Sequence, residues 1–310
     1  MKRSYRIMLC LIVTAAFALS GCLAYDPPEN APAPDPPSAA PVSNTVSVHV
    51  LDVGEGLSVF IDDGDTEVLI DGGYMKYGKE ISAAIRDYVD GAIEYVIATH
   101  SDADHVGGLV QIYADYQVDC TIYGNTAEKG TYAKFEKAAK DEPNSEFRND
   151  EDETLALSEG VTLRTIDVID NAKDPNDNSV ISLLNVGGRK LLVTGDAQAT
   201  GTKTKAENLL LGKIGKVDVY VVGHHGSETS SSQPFLDEIR PTYGIISSEG
   251  PDGHYRNPDE GVMKRLIASG AELYATYRSG AITVTFNDGK ISLSPPASQQ
   301  LTLQNYKDAA

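Results

Sequence analysis

From Thr45 onward the chain is a succession of short apolar runs, each stopped by a cluster of Gly, Asp, Asn or Ser. VSVHVLDV (46–53), LSVFID (57–62) and EVLIDGG (67–73) carry β-rich apolar runs of strand length with turn residues between them. Between residues 79 and 89 the apolar positions change spacing, and Ile81, Ile85 and Val89 fall on one helical face. IEYVIAT (93–99) reads as a buried strand that runs directly into a polar loop. A helix is expected from Val106, a strand at 118–124 and a helix at 131–140. DEPNSEFRNDEDET (141–154) is acidic and lacks a core pattern, which predicts an exposed loop. Strands resume at 161–168, 180–186 and 189–194, followed by a helix over 203–214 and a buried strand at 217–222. A helix at 234–239, a strand at 242–247, a helix at 258–269 and strands at 281–286 and 289–294 close the pattern. Residues 297–310 read as a polar tail of little consequence. Two strand-rich halves, each with helices and neither a regular βαβ series, predict an α/β fold in the form of a four-layer α/β/β/α sandwich.

The first 44 residues follow a different logic. Lys2, Arg3 and Arg6 precede an apolar run over 7–19 that is short for a bilayer span, and the run ends in Leu19-Ser20-Gly21-Cys22. That ending resembles a bacterial lipobox. Residues 1–21 are therefore expected to be a lipoprotein signal peptide, and Cys22 the lipidated new N-terminus. Residues 22–44, rich in Pro and Ala, are expected to form an extended tether. The expectation is an exported protein, anchored to the envelope membrane through Cys22, with a folded domain over 45–296 outside the cytoplasmic membrane.

Composition narrows the partners. With 310 residues, 41% of them hydrophobic, the chain can bury a substantial core. Its formal charge of −19 repels nucleic acid at long range, so stable nucleic-acid binding is not expected. A bound metal can nevertheless supply positive charge locally, which leaves a nuclease open. Cys120 is the one thiol after the leader, so no disulfide framework supports the fold.

Candidate chemistry concentrates at strand ends. THSDADHVGG (99–108) puts His100, Asp102, Asp104 and His105 within six residues, just after a buried strand. Alternate side chains of an extended segment point the same way, so His100, Asp102 and Asp104 can converge while the following turn adds His105. Imidazole and carboxylate donors without thiolates suit zinc, manganese or iron. Gly107 and Gly108 let the backbone pass close by. Of six histidines in the chain, two more form HHGS (224–227) after another buried strand. Asp196, in Thr194-Gly195-Asp196, ends a third strand and could bridge two metals. Asp71 ends a fourth and is expected to support the site from behind, as is Asp52.

The order LDVGEG, LIDGG, THSDADHVGG, NDNS, TGDA, HHGS and YRNP resembles the metallo-β-lactamase superfamily, and within it the hydrolase domain of ComEC-type DNA-uptake proteins and their stand-alone relatives. The resemblance spans about Val46 to Leu293. It implies His100 and Asp102 on one metal, Asp104 and His105 on a second, Asp196 between them and His224 as the last histidine ligand. It places His225 and Ser227 near a substrate phosphate and gives Asp104 and His225 catalytic roles. The Asn178-Ser179 region stands where many members have a further histidine, and is assigned to substrate. One or two divalent ions, zinc or manganese, are implied, with a metal-bound hydroxide attacking phosphorus or a carbonyl. Two positions depart from the ComEC-type pattern: Glu55-Gly56-Leu57 where QGD is usual, losing a carboxylate, and Asn257-Pro258 where His-Pro is usual. His254 is read as a surface histidine. The leading expectation is a phosphoester hydrolase, phosphodiesterase or nuclease-like, acting on DNA, a phosphocholine-type polymer or a small phosphoester. The alternatives are an amide or ester hydrolase on the same fold and a non-catalytic metal-binding module.

Overall fold

A computed structural model describes residues 45–308 except 126, 128, 170 and 171. The expected signal peptide, Cys22 and the tether lie outside the described residues. Among the described residues no helix is long and apolar enough to cross a membrane.

Two sheets form the centre. The first takes β1 (Val46–Val50), β2 (Val59–Asp62), β3 (Glu67–Ile70), β4 (Ile93–Ala98), β5 (Val118–Tyr123) and β6 (Glu146–Asn149). The chain then builds the second from β7 (Glu153–Ser158), β8 (Val161–Ile166), β9 (Ile181–Val186), β10 (Arg189–Val193), β11 (Val219–Val221), β12 (Tyr243–Ile246) and β13 (Glu272–Ala275). It finally returns to the first with β14 (Ile282–Asn287) and β15 (Lys290–Ser294), giving the order β15-β14-β1-β2-β3-β4-β5-β6 opposite β13-β12-β11-β10-β9-β8-β7.

Alternation sorts the side chains into three apolar layers. Val48, Ile61, Val68 and Ile122 of the first sheet share one buried cluster with Leu163, Leu184, Val193 and Val219 of the second. The opposite face of the first sheet, with Phe60, Leu69 and Val96, packs under α1 (Gly78–Ile85), α2 (Ala103–Val106), α3 (Leu109–Asp115) and α4 (Thr131–Asp141). The outer face of the second, with Leu192, Tyr220 and Leu273, is covered by α5 (Ala206–Leu209), α6 (Gln233–Ile239) and α7 (Glu260–Ala268). A short α8 (Thr276–Ser279) follows β13. This is the α/β/β/α sandwich that the apolar pattern predicts.

Three segments differ from the sequence reading. Residues 141–154 contain β6 and the start of β7, each at one edge of its sheet; an edge strand with charged residues blunts further pairing, and only half of it needs apolar side chains. Phe147 of β6 stacks on Tyr123 with ring centroids 4.4 Å apart. The helix expected over 203–214 shrinks to α5, because Lys205 is left-handed (φ 55°) and Gly212 and Gly215 follow. Residues 297–310 are more than a polar tail: Leu301 and Tyr306 are each 2% exposed against the helix layer, and Leu301 N donates to Leu273 O at 2.7 Å.

The topology brings functional ends together. β3, β4, β5 and β6 run parallel, as do β10, β11, β12 and β13. Val180 N, just before β9, donates to Thr99 O just after β4 at 2.9 Å, joining the sheets where the carboxyl ends of β4 and β10 meet. Open α/β sheets present their ligand sites at such carboxyl ends.

Candidate metal centre

Each strand end contributes one piece. After β3, Asp71 turns out of the sheet with φ 58°, and its carboxylate accepts from Thr99 N (2.8 Å) and Thr99 Oγ1 (2.6 Å). After β4 come His100, fully buried, and Asp102, whose extended backbone precedes α2 with Asp104 and His105. The helix starts earlier than the expected Val106 and restarts after Gly107-Gly108. At Gly108 an added Cβ would lie 2.1 Å from Gly72 O, so glycine is needed to seat this loop on the β3 turn. After β10 comes Asp196, whose amide donates to Ser179 Oγ at 3.0 Å. After β11, His224 and His225 both take left-handed backbone (φ 50° and 55°), costly for non-glycine residues and a sign that local structure serves side-chain placement.

The result is four imidazoles around one carboxylate oxygen. Asp196 Oδ2 lies 3.3 Å from His105 Nε2, 3.4 Å from His225 Nε2, 3.8 Å from His224 Nε2 and 3.9 Å from His100 Nε2. Asp102 Oδ2 stands 3.8 Å from His100 Nε2, and Asp104 Oδ2 3.7 Å from His225 Nε2. Four ligands arranged tetrahedrally at zinc bond lengths are about 3.4 Å from one another, so these spacings suit a metal. His100 Nε2 and Asp196 Oδ1 are buried without a hydrogen-bond partner among the described residues, which a cation would supply.

The far nitrogens explain why every Nε2 faces inward. Thr99 Oγ1 gives its proton to Asp71 and so accepts from His100 Nδ1 at 3.1 Å. His105 Nδ1 donates to Asp71 Oδ2 (2.7 Å) and His225 Nδ1 to Ser247 O (3.1 Å), while His224 Nδ1 meets Thr229 Oγ1 at 2.9 Å. Such outer partners fix the tautomer and ring orientation of metal-binding histidines.

Electrostatics follow from this crowding. Burial pulls His105 down, but Asp196 and Asp71 override it and hold the imidazole well above its ordinary range. Burial likewise pulls His225 down, but Asp196 outweighs it and lifts the imidazole to about 9. Asp196 stays well below the usual carboxylate range despite burial, because His105, His225 and His224 surround it. Burial lowers His100 and His224, and lifts Asp102 to about 6.

Several assignments shift. His100, His105 and Asp196 form one group of converging ligand atoms, and Asp104, His105 and His225 a second. His225 therefore joins Asp104 and His105 in a group of converging ligand atoms, a place the sequence reading did not give it. His224 keeps its Nε2 3.8 Å from Asp196 Oδ2 but lies outside both groups, with Asn176 Nδ2 3.4 Å away. The order of adjacent histidines says nothing about this division; the left-handed turn decides it. Asn178 is spent on its own loop, accepting from Ala172 N (2.6 Å) and donating to the carbonyls of Ala172 and Asp174. Ser179 buttresses Asp196, and Ser227 is 3.2 Å from Thr229 rather than on the cavity wall. Asp52 is exposed and accepts from Gly54 N in its own turn, away from the cluster.

A cavity of about 140 Å³ opens over the cluster, lined by Asp102, Asp104, Asp196, His224 and His225 together with Glu55, Asn176, Tyr255 and Asn257. Asn176 and Tyr255 escaped the sequence reading as site residues; Glu55 and Asn257 entered it only as departures from the family pattern. Glu55 is 2% exposed; its Oε1 accepts from Asn257 Nδ2 (2.6 Å) and its Oε2 from Glu249 N (3.0 Å), and burial raises its carboxyl. Leu57 sits in the core, so the acid that the pattern lacks at position 57 reaches the cavity from position 55. The signal was Glu55 itself, held between two glycines: a Cβ on Gly56 would come within 2.7 Å of Asp104 O. His254 is exposed and off this cavity.

The metallo-beta-lactamase superfamily matches residues 51–250 of the chain. The chain is 31% identical over 264 residues to competence protein ComA of Neisseria gonorrhoeae, covering 82% of this chain and 34% of that protein. It is 30% identical over 256 residues to recombination protein 2 of Haemophilus influenzae, covering 80% and 30% respectively. The chain thus spans about a third of the length of these relatives. Among solved structures, the metallo-beta-lactamase fold protein YhfI of Bacillus subtilis superposes with a TM-score of 0.51 at 11% identity, over 81% of this chain and all of that one, which speaks for the fold alone. Sequence, fold and strand-end cluster agree: the chain belongs to the metallo-β-lactamase superfamily, a superfamily of metal-dependent hydrolases, on the branch of ComEC-type competence proteins.

Proposed function

We propose that the protein hydrolyses phosphoesters with one or two divalent metals, zinc or manganese, held by His100, Asp102, Asp104, His105, Asp196, His224 and His225. The observation that carries the reading is the ring of four inward-facing Nε2 atoms about Asp196 Oδ2, opening on a cavity sized for a single phosphoryl group. A metal bound there supplies Lewis acidity and a nucleophile at neutral pH. The chain's own residues do the rest. Asp71 and Ser247 O keep the ligand rings aimed, and the Glu55–Asn257 pair closes the far wall. Asn176 and Asn257 offer amide donors to phosphoryl oxygens. Relatives named for competence and recombination support a phosphodiester substrate, and the basic, apolar leader ending in Cys22 supports action outside the cytoplasmic membrane.

Purified protein loaded with zinc or manganese is assayed on bis-p-nitrophenyl phosphate, with metal content measured in parallel. One to two equivalents of metal and metal-dependent turnover are expected, with Asp104→Ala and His105→Ala losing both. Full turnover by either variant would refute the site; metal without turnover would refute the phosphoester reading.

A further inference from the structure

We infer that a second, anion-binding subsite lies beside the metal cavity, in the groove lined by Lys173, Asp174, Gly201, Thr202, Lys203 and Thr204, and that it holds a neighbouring phosphate of a substrate bearing several in a row. The inference rests on the phosphoester reading and names the substrate class: a linear polymer of phosphodiesters rather than a lone ester. The groove encloses about 330 Å³, ample for a phosphate and its linkers.

Charge is the first argument. The chain carries −19 overall, and Lys137, Lys140, Lys264 and Lys307 are each paired with an acid. Lys173 and Lys203 are exposed and, like Lys76, Lys134, Lys190, Lys205, Lys213 and Lys216, form no ion pair among the described residues; what sets these two apart is that they line the same groove. Two uncommitted ammonium groups on one groove of so acidic a protein make a local exception to its repulsion of anions. Asp174 also lines the groove and keeps its charge, its Oδ1 accepting from Asn176 N at 3.2 Å, so two cations face one carboxylate and leave the groove a net positive charge.

The loop chemistry is the second. TGTKTK (200–205) occupies what the apolar pattern assigned partly to a helix, and the structure leaves it as a loop with Gly201 at φ 85°. Threonine hydroxyls beside lysines give donors that suit phosphate oxygens.

Position is the third. Asp174 on the groove and Asn176 on the cavity wall belong to one turn. On the other side, Ala199 N and Thr200 N donate to Thr229 O (2.8 and 3.1 Å), and Thr229 Oγ1 contacts His224 Nδ1. One turn and one threonine thus separate the groove from the imidazoles.

The test uses the metal-loaded full chain and the double variant Lys173→Ala/Lys203→Ala, with a dinucleotide carrying one phosphodiester and a tetranucleotide carrying three. The wild type is expected to show a KM for the tetranucleotide about tenfold lower, as one added charge-assisted hydrogen bond gives. The variant should lose that advantage and part of its salt dependence, while kcat/KM on the dinucleotide and on bis-p-nitrophenyl phosphate stays unchanged. The same two lengths built of glycerol phosphate tell which backbone is preferred, an advantage of length on either supporting the subsite. Equal KM values for both lengths on both backbones, or an equal loss on long and short substrates in the variant, would overturn it with the phosphoester reading intact. Absence of any bis-p-nitrophenyl phosphate hydrolysis by the wild type would overturn that reading and this inference with it.

Discussion

Thr99 and Asp71 do more for the centre than their distance from the cavity suggests. The threonine hydroxyl lies 3.1 Å from His100 Nδ1 and 3.3 Å from His105 Nδ1 while giving its own proton to Asp71. Asp71→Asn keeps the shape but removes the charge and one of the two acceptor oxygens. Metal affinity is expected to fall about 10- to 100-fold with the fold intact, read by metal titration alongside circular dichroism. The paired histidines give a second residue-scale expectation. His225→Ala should cost more bound metal than His224→Ala, since His225 lies in a converging ligand group with Asp104 and His105. Equal losses, measured by metal analysis, would contradict the division described above. Most of this constellation was legible, because His and Asp at the ends of apolar runs are conspicuous in a chain with six histidines. The split between His224 and His225 was not, because it depends on two consecutive left-handed residues. Nor was the choice of Asn176 over Asn178, two amides in one short turn whose rotation alone decides which faces the cavity.

Strands with an apolar run or a clear alternation announced themselves, the half-exposed edge strand β15 included; the charge-rich edge strands at 146–154 did not. β4, β11 and β12 are apolar runs and were readable as such. β6 and the start of β7 were hidden because these edge strands carry charge at Glu146, Arg148 and Glu153 where a core pattern would need apolar side chains. The C-terminal segment was hidden for another reason: two apolar side chains among polar ones make no period, yet Leu301 and Tyr306 fill the helix layer, and Tyr277 Oη donates to Tyr306 O at 2.6 Å. Tyr306→Ala is expected to destabilise the protein by about 3 kcal/mol, as loss of a buried aromatic ring does. Urea unfolding would check it; a change within about 0.5 kcal/mol, typical of surface substitutions, would mean the segment is not docked.

At the scale of the whole molecule the cluster couples stability to pH. His105 well above its ordinary value and His225 at about 9 bind protons more tightly folded than unfolded. Both contributions are complete below about pH 6.5; that of His225 is lost as pH rises through about 9, and that of His105 above its ordinary range. Metal-depleted protein should therefore lose thermal midpoint between pH 6.5 and 9. Metal-loaded protein should hold or gain, since deprotonated ligands bind the ion. Parallel thermal scans test this, and identical slopes for both forms would refute it.

The return of the last strands to the first sheet bears on how the protein is made. β1 pairs with β14 in the register Val46↔Phe286 to Val50↔Ile282, so the strand that opens the domain finds one of its two partners only after β2 to β13 have all been made. Until then β1 presents a bare edge with Val46, Val48 and Val50, the kind of template on which incomplete chains aggregate. A chain halted just short of Ile282 would hold every ligand from His100 to His225 in its sequence while the sheet that carries half of them still lacked its closing hairpin. Maturation of the centre is thereby tied to delivery of β14 and β15, which makes a break before Ile282 a greater hazard to this protein than the positions of the candidate ligands would imply.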